Sequence, residues 1–450
     1  MTPLAAPWST GYEMSRARVI IEKLIHGGDG LAHLPDGQVV FVSNVIPGEE
    51  VEIEVFQRLG DYALARPIKI IKPALERIEP NCPYFPECGG CQWQHISYKA
   101  QVRFKLEVFK ETLARVGGVE PDLVEGVVPS PKAFGYRHRL QFHVHQETGA
   151  LGFLKRRSHE LVPLRSCALA TPEINQVLKV LPDLPAWKRI HPYIKRVNLG
   201  TSLLEGRVTM LFWTKLAPRE EDLYEILEAL PVLKAVFYWV RGRDPIGPFP
   251  KLKDQGARFF PVPKEINGLG RDLVFQARPG VFVQNNWEIN LALISLVKEL
   301  AAPKGEEVLD LHCGMGNFLL PLVVKAKAGL GVDTDHRAIE DGLKNVEHWG
   351  LSNVRLEVLS AVEALLECLK HGEPYPIVLL DPPRGGCKEL VRFLPDIAID
   401  RLIYVSCDPP TLARDLKLLI RQGYAVKRIK AFDMFPQTFH LESVTLLVRT

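Results

Sequence analysis

Three residues with nucleophilic or acid–base side chains lie next to the ends of predicted strands. Asp381 ends the predicted strand 377–381, and Cys407 follows the predicted strand 402–406. Because the carboxyl ends of neighbouring parallel strands meet at one edge of a sheet, we expect Cys407 beside Asp381. Most free thiols are small core residues, but burial is less expected at a strand tip before Asp-Pro-Pro. Glu442 enters the last predicted strand and is either a general base or a surface carboxylate.

A thiol and a carboxylate at one edge suit methylation of carbon C5 of uracil. C5 is a poor nucleophile, but addition of a thiolate to C6 produces an enolate whose C5 can attack an electrophilic methyl group. A general base must then remove the C5 proton before the thiolate can leave. In this chemistry Cys407 is the candidate nucleophile and Glu442 the candidate base.

A second group of residues predicts a nucleoside-cofactor site. The buried strand 308–311 runs into His312-Cys-Gly-Met-Gly-Asn317, and the next strand ends at Asp333. A glycine turn lets the backbone approach a ligand, and an acidic residue at the following strand end can accept hydrogen bonds from ribose hydroxyls. The glycine pattern of dinucleotide-binding folds is incomplete here, which favours S-adenosylmethionine over NAD. The alternative is a tight strand–helix turn without a ligand.

The elements that must position these residues alternate between strand and helix from about residue 290 onward. This alternation predicts a doubly wound, mostly parallel sheet. The sheet would bring the strand ends that carry Asp333, Asp381 and Cys407 to one edge. The predicted strands are 308–311, 330–333, 354–358, 377–381, 402–406, 426–432 and 444–449.

The N-terminal part of the chain has a different rhythm. Between about 14 and 72, short β-rich runs alternate with glycine and proline turns, which predicts a small barrel of about five strands. Residues 97–116 carry apolar side chains at helical spacing and predict an amphipathic helix. Between 121 and 270 the pattern is mixed, mostly strands with some helix, and predicts no topology.

Length and charge set broad limits on the kind of protein. A chain of 450 residues is expected to form two or three domains. It contains no apolar run near the ~20 residues of a membrane-spanning helix, and residues 1–14 lack the features of a signal peptide, so we expect a cytoplasmic protein without a membrane partner. Net charge is only +3, but cations alternate with aromatic residues in the segment 132–165, which is either an RNA-contacting surface or a solvated strand face.

The eight cysteines are unevenly spaced. Cys82, Cys88 and Cys91 lie close together, and the others are scattered. Without a secretory signal, a disulfide framework is not expected. From spacing alone, a four-thiolate zinc site and an iron–sulfur cluster are nearly equal interpretations.

Together these motifs resemble those of the RNA uracil-5-methyltransferase family, in its form with an N-terminal TRAM domain and an iron–sulfur cluster. The resemblance runs from about residue 14 to the C-terminus, and no single motif would establish it. The motifs that carry it are Cys82-x5-Cys88-Gly-Gly-Cys91, Leu309-Asp-Leu-His-Cys-Gly-Met-Gly-Asn317, Asp381-Pro-Pro-Arg384, Ser406-Cys-Asp-Pro-Pro410 and His440-Leu-Glu-Ser-Val444.

The resemblance implies roles for individual residues. Cys407 becomes the nucleophile and Glu442 the base, while Phe282 matches the residue that packs against a uracil flipped out of its stack. Positions that match binders of S-adenosylmethionine are Gln284, His312, Asn317, Asp333 and Asp381. Positions that match ligands of a 4Fe–4S cluster, with an expected structural role, are Cys82, Cys88, Cys91 and Cys167.

The resemblance also implies a multi-domain α/β fold. We expect an OB-like TRAM β-barrel that binds RNA at 14–72, and a central mixed α+β domain with the four-cysteine cluster at 73–270. Residues 271–450 would form a Rossmann-like class I S-adenosylmethionine-dependent methyltransferase domain, on which the helix 97–116 could pack. The expected partner is RNA, with 23S rRNA favoured over tRNA, and no obligate protein partner is expected.

Two departures and three alternatives accompany this prediction. His312 stands where the family usually has Phe or Tyr, and Ser360 where Asn or Asp often lies near the adenine. A cytosine-5-methyltransferase typically has Pro-Cys in the motif that reads Asp381-Pro-Pro-Arg384 here. An amino-group methyltransferase would need no cysteine, and a non-catalytic RNA-binding iron–sulfur protein would not need Cys407 and Glu442.

Overall fold

The structure is a computed structural model that describes residues 15–450, so residues 1–14, where no signal peptide is expected, lie outside the described residues. The chain divides into two compact units. The first contains the described residues up to Pro86 together with Cys91–Phe104 and Gln437–Phe439. The second contains Glu87–Gly90, Lys105–Pro436 and His440–Thr450.

The first unit is built on one six-stranded sheet in the order β1-β5-β6-β4-β3-β2. Strand β1, at one end of this order, also contacts β3 near the other end, so the sheet curls as expected for a barrel. The count is six rather than about five, because residues 15–24 form two strands instead of one and Gly30–His33 forms another. The strands are β1 Ser15–Ile20, β2 Lys23–Leu24, β3 Gly30–His33, β4 Val39–Val42, β5 Glu50–Arg58 and β6 Tyr62–Lys72.

The core of this sheet follows from alternation along its strands. In β5, Val51, Ile53 and Val55 point to one face, as residues two apart do in any strand. They pack with Val40 and Val42 of β4. The alternating pattern in the sequence therefore predicts the inner face of the barrel.

The middle of the chain forms a seven-stranded sheet in the order β10-β9-β8-β11-β12-β13-β14. All of its strand pairs are antiparallel except β12 with β13. The predicted helix 97–116 is confirmed as α1 and the helical turn that continues it to Gly117. The elements are α1 Tyr98–Thr112, β7 Val124–Val128, β8 Arg139–Val144, β9 Leu151–Leu154, β10 Leu161–Pro163, α2 Pro172–Val180, α3 Pro185–Ile190, β11 Ile194–Ser202, β12 Arg207–Thr214, α4 Glu220–Ala229, β13 Leu233–Val240, β14 Ile246–Phe249, β15 Arg258–Val262, α5 Lys264–Asn267 and β16 Leu273–Ala277.

The last part of the chain completes an eight-stranded sheet in the order β19-β18-β17-β20-β21-β23-β22-β7. The doubly wound, mostly parallel sheet predicted from the sequence is confirmed, with β23 antiparallel to both of its neighbours. The elements are α6 Trp287–Ala301, β17 Glu307–Asp310, α7 Leu319–Val323, β18 Ala328–Asp333, α8 His336–Trp349, β19 Val354–Val358, α9 Ala361–His371, β20 Tyr375–Leu380, α10 Leu394–Ile397, β21 Ala398–Ser406, α11 Pro409–Arg421, β22 Tyr424–Phe432 and β23 Glu442–Arg449.

Successive residues of the central strands enter two different cores, one on each face of the sheet. In β20, Ile377 packs with α6 and α7 on one face, and Val378 packs with Phe109 of α1 on the other. Burial on both faces explains why this strand is a continuous apolar run rather than an alternating one.

Two earlier parts of the chain pack with this sheet. β7 pairs in parallel with β22, and β15 and β16 form a hairpin whose Phe260 and Phe275 pack against Trp287. The expected domain boundary at residue 270 falls between the two strands of that hairpin. Within residues 15–450, no helix is long and apolar enough to cross a membrane.

Candidate active site

The structure brings Asp381, Cys407 and Glu442 together at the carboxyl edge of the eight-stranded sheet. Ser406, the last residue of β21, pairs with Ser443 of β23, so Cys407 and Glu442 occupy the next positions of two antiparallel neighbours. Asp381 directly follows β20, which is the neighbour of β21 on its other side. The arrangement expected from the strand ends is therefore present.

Cys407 lies in a turn that is fixed on both sides. Before it, the Ser443 hydroxyl donates to the carbonyl of Ser406 at 3.2 Å. After it, the carboxylate of Asp408 accepts a hydrogen bond from the Thr411 amide at 3.3 Å and caps α11. Prolines fit the first turn of α11 because amides there have no partner within the helix. Cys407 is partly exposed, so the alternative of a core cysteine does not apply.

The surroundings of Cys407 oppose formation of a thiolate. Burial, followed by the negative charges of Glu442 and Asp381, raises the pKa of the Cys407 thiol to about 12, although Arg384 acts in the opposite direction. A helix N-terminus usually lowers a thiol pKa, but here burial and the carboxylates outweigh it. The thiol of the free protein is therefore protonated at neutral pH.

Glu442 is a buried carboxyl group with 3% of its surface exposed, so the alternative of a surface carboxylate is wrong. Burial and the charge of Asp381 raise its pKa well above the ordinary value, against the effect of Arg384. Burial and the charge of Asp333 raise the pKa of Asp381 to about 7. Both groups thus hold a proton more strongly than ordinary carboxylates do.

Asp310 joins this acidic group from the end of β17. Burial raises its pKa well above the ordinary value, and the charges of Asp381 and Asp333 act in the same direction. We call Asp310, Asp333, Asp381 and Glu442 the acidic edge. The sequence predictions did not include Asp310 as a site residue, although its place at the end of a buried strand was a usable signal.

The glycine turn after β17 is held by two members of the acidic edge. Asp310 accepts a hydrogen bond from the His312 amide at 3.2 Å, and Asp333 accepts one from the Gly314 amide at 3.0 Å. Gly316 has a φ of +89°, and a Cβ there would lie 2.2 Å from Leu320. The turn therefore needs glycine at this position.

The turn has unused polar atoms that suit a ligand. In the described chain, Oδ2 of Asp310 and Nδ1 of His312 are buried without a hydrogen-bond partner. Burial lowers the pKa of His312 to about 4, so its ring is neutral. Asp333 also accepts from the Asp335 amide at 2.9 Å, but each carboxylate oxygen can accept more than one bond. These donors and acceptors fit the polar groups of a nucleoside cofactor.

Of the other residues considered near the cofactor, Asn317 and Ser360 have hydrogen-bond partners within the protein. Asn317 exchanges two hydrogen bonds with Asn290, at 2.8 and 2.9 Å. Gln284 is 8% exposed. Ser360 caps α9 in a reciprocal arrangement with Glu363, whose amide donates to the Ser360 hydroxyl at 3.2 Å. The hydroxyl of Ser360 is thus engaged in holding a helix.

The four cysteines expected to bind a cluster divide between the units. Cys82 and Cys91 belong to the first unit, and Cys88 and Cys167 to the second. All four are partly exposed, whereas Cys313, Cys368 and Cys387 are buried. Across the described residues 15–450, no group of three or more His, Cys, Asp or Glu side chains is arranged to hold a metal ion. The cluster therefore stays a prediction.

Comparisons with known proteins give results over nearly the whole chain. Residues 97–450 match the family model described as tRNA (Uracil-5-)-methyltransferase, and residues 11–68 match the TRAM domain. A 23S rRNA (uracil(1939)-C(5))-methyltransferase of Thiobacillus denitrificans is 34% identical, over 96% of this chain and 99% of its own length. An uncharacterized RNA methyltransferase of Thermotoga maritima is 32% identical with the same coverage. The solved structure of Pyrococcus abyssi tRNA (uracil-54, C5)-methyltransferase in complex with S-adenosyl-L-homocysteine superposes with a TM-score of 0.73 at 26% identity, covering 96% of this chain and 99% of the other.

Proposed function

We propose, since this chain belongs to the tRNA (uracil-5-)-methyltransferase family, that it methylates C5 of a uridine in 23S rRNA with S-adenosylmethionine as the methyl donor. The observation that carries the proposal is the position of Cys407 and Glu442 at neighbouring ends of β21 and β23. One side chain can bond to the base while the other removes a proton from it. Amino-group methylation would need no thiol, so the pair favours reaction at carbon.

The reaction divides into two transfers at the uracil ring. Cys407 loses its thiol proton to water and its Sγ bonds to C6, which leaves an enolate with electron density on C5. S-adenosylmethionine would supply an electrophilic methyl group on a positively charged sulfur and, once C5 has taken that group, would leave as neutral S-adenosylhomocysteine. Once C5 carries that group, Glu442 accepts the C5 proton, the bond between Sγ and C6 breaks, and Cys407 leaves as a thiolate.

The acidic edge suits a positively charged donor. The carboxyl groups of Asp310, Asp381 and Glu442 have raised pKa values because they are buried and lie near other negative charges. A sulfonium at this edge would offset that repulsion, and would also favour the thiolate of Cys407. Methyl-donor binding would therefore prepare the nucleophile.

The residues proposed to hold S-adenosylmethionine surround the glycine turn. The unpartnered buried atoms of Asp310 and His312 support this assignment. Asn317 keeps bonding capacity beyond its pair with Asn290, since an amide has two donors and two lone pairs. The proposed set is Gln284, His312, Asn317, Asp333 and Asp381.

The choice of 23S rRNA rests on the named relatives. Proteins of Thiobacillus denitrificans and Pseudomonas putida named for 23S rRNA are 34% and 33% identical to this chain, against 26% for the protein named for tRNA. We propose that the curled sheet of β1–β6 and the segment 132–165 contact the RNA. The reaction would take place in the cytoplasm, where this RNA is found.

We also propose a 4Fe–4S cluster on Cys82, Cys88, Cys91 and Cys167, with a structural role. Thiolates are the ligands such clusters prefer, and these four side chains are partly exposed. The backbone near two of them is anchored. The backbone amide of Cys167 donates to Oδ1 of Asn175 at 2.8 Å, and Cys88 forms an antiparallel β-bridge with Lys155. Iron and zinc analysis of anaerobically purified protein tests this, and bound zinc in place of iron would contradict it.

The first experiment uses 23S rRNA fragments that contain 5-fluorouridine. Fluorine cannot leave C5 as a proton, so a uracil-5-methyltransferase becomes trapped on its RNA after methyl transfer. We expect a trapped adduct with the wild-type protein and none with Cys407→Ala. An adduct on tRNA alone would identify tRNA, rather than 23S rRNA, as the substrate. No adduct on either RNA, with intact cofactor binding, would reject uracil methylation.

A further inference from the structure

The loop at residues 278–286, between β16 and α6, has its carbonyl groups held by three basic side chains. Carbonyl groups outside regular strands and helices need hydrogen-bond donors from elsewhere. In this loop they come from β8, from the residue just before it and from β15. The donors are His138, Arg139 and Arg258, which we call the basic clamp.

The carbonyl of Val281 receives two guanidinium donors. Its oxygen lies 3.2 Å from Nη1 of Arg139 and 3.3 Å from Nη2 of Arg258. A carbonyl oxygen has two lone pairs and can accept both. Arg258 also donates to the carbonyl of Arg278 at 3.4 Å. One side chain thus spans the first turn of the loop.

His138 holds the loop on the other side of Phe282. Its Nε2 lies 2.6 Å from the carbonyl oxygen of Gln284. Because a carbonyl only accepts, Nε2 must carry the hydrogen. Burial and the nearby charge of Arg258 lower the pKa of His138 to about 3, so the ring is neutral at physiological pH. The hydrogen bond from His138 to the Gln284 carbonyl is therefore unchanged over the pH range in which enzymes normally work.

Arg258 is an unusual residue to find in this place. Only 1% of it is exposed, and its Nε and Nη1 have no hydrogen-bond partner. It also lies near Arg139, whose like charge acts with burial to lower the Arg258 pKa to about 9. Buried cations are normally paired with a carboxylate, because burying an unpaired charge is costly. An apolar side chain of the same size would pack at lower cost. The charge of Asp341 acts on the Arg258 pKa in the opposite direction, and the hydrogen bonds of the guanidinium go to the carbonyls of Arg278 and Val281.

We propose that Arg258 is a positioning residue, which fixes the Val281 carbonyl so that the Phe282 ring stays presented to the RNA. Phe282 is 60% exposed, and the clamp holds the loop at Val281 before it and at Gln284 after it. This inference rests on the proposed function, since Phe282 packs against a flipped-out uracil only if uracil is the substrate. Arg258 itself touches neither the base nor the methyl donor.

The kinetic test compares Arg258→Met with wild type, both alone and in a Phe282→Ala background. Methionine fills similar space without a donor or a charge. We expect kcat/KM for RNA to fall about tenfold, mostly through KM, because the ring is no longer held in place. In the Phe282→Ala background the same substitution should change kcat/KM less than about twofold. Equal losses in the two backgrounds would overturn the proposal.

Thermal unfolding separates positioning from a purely structural role. The Tm of Arg258→Met should stay the same or rise, because an unpaired buried cation is replaced by an apolar side chain. A fall in Tm would assign Arg258 to stability and overturn the proposal. If Arg258→Met does not fold, Arg258→Gln gives the same comparison, since its shorter amide cannot reach both carbonyl groups.

Amide hydrogen exchange tests the clamp without substrate. Exchange at residues 278–286 should be faster in Arg258→Met and unchanged in Arg428→Met, which removes a surface arginine paired with Glu125 and Glu299. Unchanged exchange in Arg258→Met would overturn the clamp even in an active enzyme. Faster exchange in a protein that does not methylate uridine would keep the clamp and reject the proposed function.

Discussion

The acidic edge and the basic clamp bury charge of opposite sign at two places in the same unit. At the edge, the pKa values of Asp310 and Asp381 are raised because these groups are buried and lie near other negative charges. At the clamp, the pKa values of His138 and Arg258 are lowered by burial and nearby positive charges. Each region keeps its own charges together instead of neutralising them with the other. Under the proposed function, the edge would bind a cation, whereas the clamp already holds the loop that would contact the RNA.

The largest expected effect comes from removing the reacting atom at the acidic edge. Cys407→Ala should lower kcat by about 10³-fold or more, because no covalent bond to C6 can form. Binding of S-adenosylmethionine, measured by calorimetry, should change less than about threefold. Cys368→Ala removes a buried thiol on α9 and serves as the control. Methylation that survives in Cys407→Ala would place the nucleophile elsewhere.

Glu442→Gln should stop the reaction at a later point. The first methyl transfer can occur, but loss of the C5 proton should slow by about 10²-fold or more. We therefore expect a methylated adduct with RNA to accumulate on ordinary uridine, visible as a slow band on a denaturing gel. Wild type should show that band only with 5-fluorouridine. An unmethylated adduct would show that Glu442 acts before methyl transfer.

The glycine turn connects the edge to the proposed cofactor. Gly316→Ala should weaken S-adenosylmethionine binding about tenfold, because φ is +89° and the new Cβ would meet Leu320. Gly314→Ala is the matched control, since its φ of +52° is accessible at some cost and no atom lies within 4 Å of the added Cβ. Equal effects at the two positions would show that contact with Leu320 is unimportant.

The smallest expected effect is a shift in the titration of Cys407. In the free protein, alkylation by iodoacetamide should rise with pH toward the raised pKa of about 12. S-adenosylmethionine should lower that pKa by about one unit, since its positive sulfur favours the thiolate. S-adenosylhomocysteine has no sulfonium and should lower it less. Equal shifts with both ligands would mean that the pKa of the Cys407 thiol responds to the presence of a ligand and not to the charge on its sulfur.

The sequence was most informative where the position of a residue follows from the strand that carries it. Asp381 and Cys407 could be placed side by side because continuous apolar runs identify buried parallel strands, and the ends of such strands meet. The same reasoning placed Glu442 at the start of β23, but its burial became apparent only from the packing around it.

The sequence was least informative where partners are distant along the chain. The order of the seven-stranded sheet depends on pairings that periodicity does not record, and the β15–β16 hairpin joins a core formed mostly by later residues. Arg258 starts a strand and reads as a surface residue, because nothing local reveals that it is buried against the 278–286 loop. Asp310 was not predicted as a site residue for a similar reason, since its neighbours Asp333 and Asp381 come from other strands.

Strand β23 lies antiparallel between β21 and β22, so the proposed proton transfer depends on the register of β23 relative to β21. Side chains alternate between the two faces of a strand, so a slip of one residue would exchange Glu442 for Ser443 beside Cys407. The apolar residues Val444 and Leu447 resist that slip, because each enters a different core. Their packing thus sets the position of the proposed catalytic carboxylate, and we expect a deletion farther along the strand to abolish activity without removing any active-site residue.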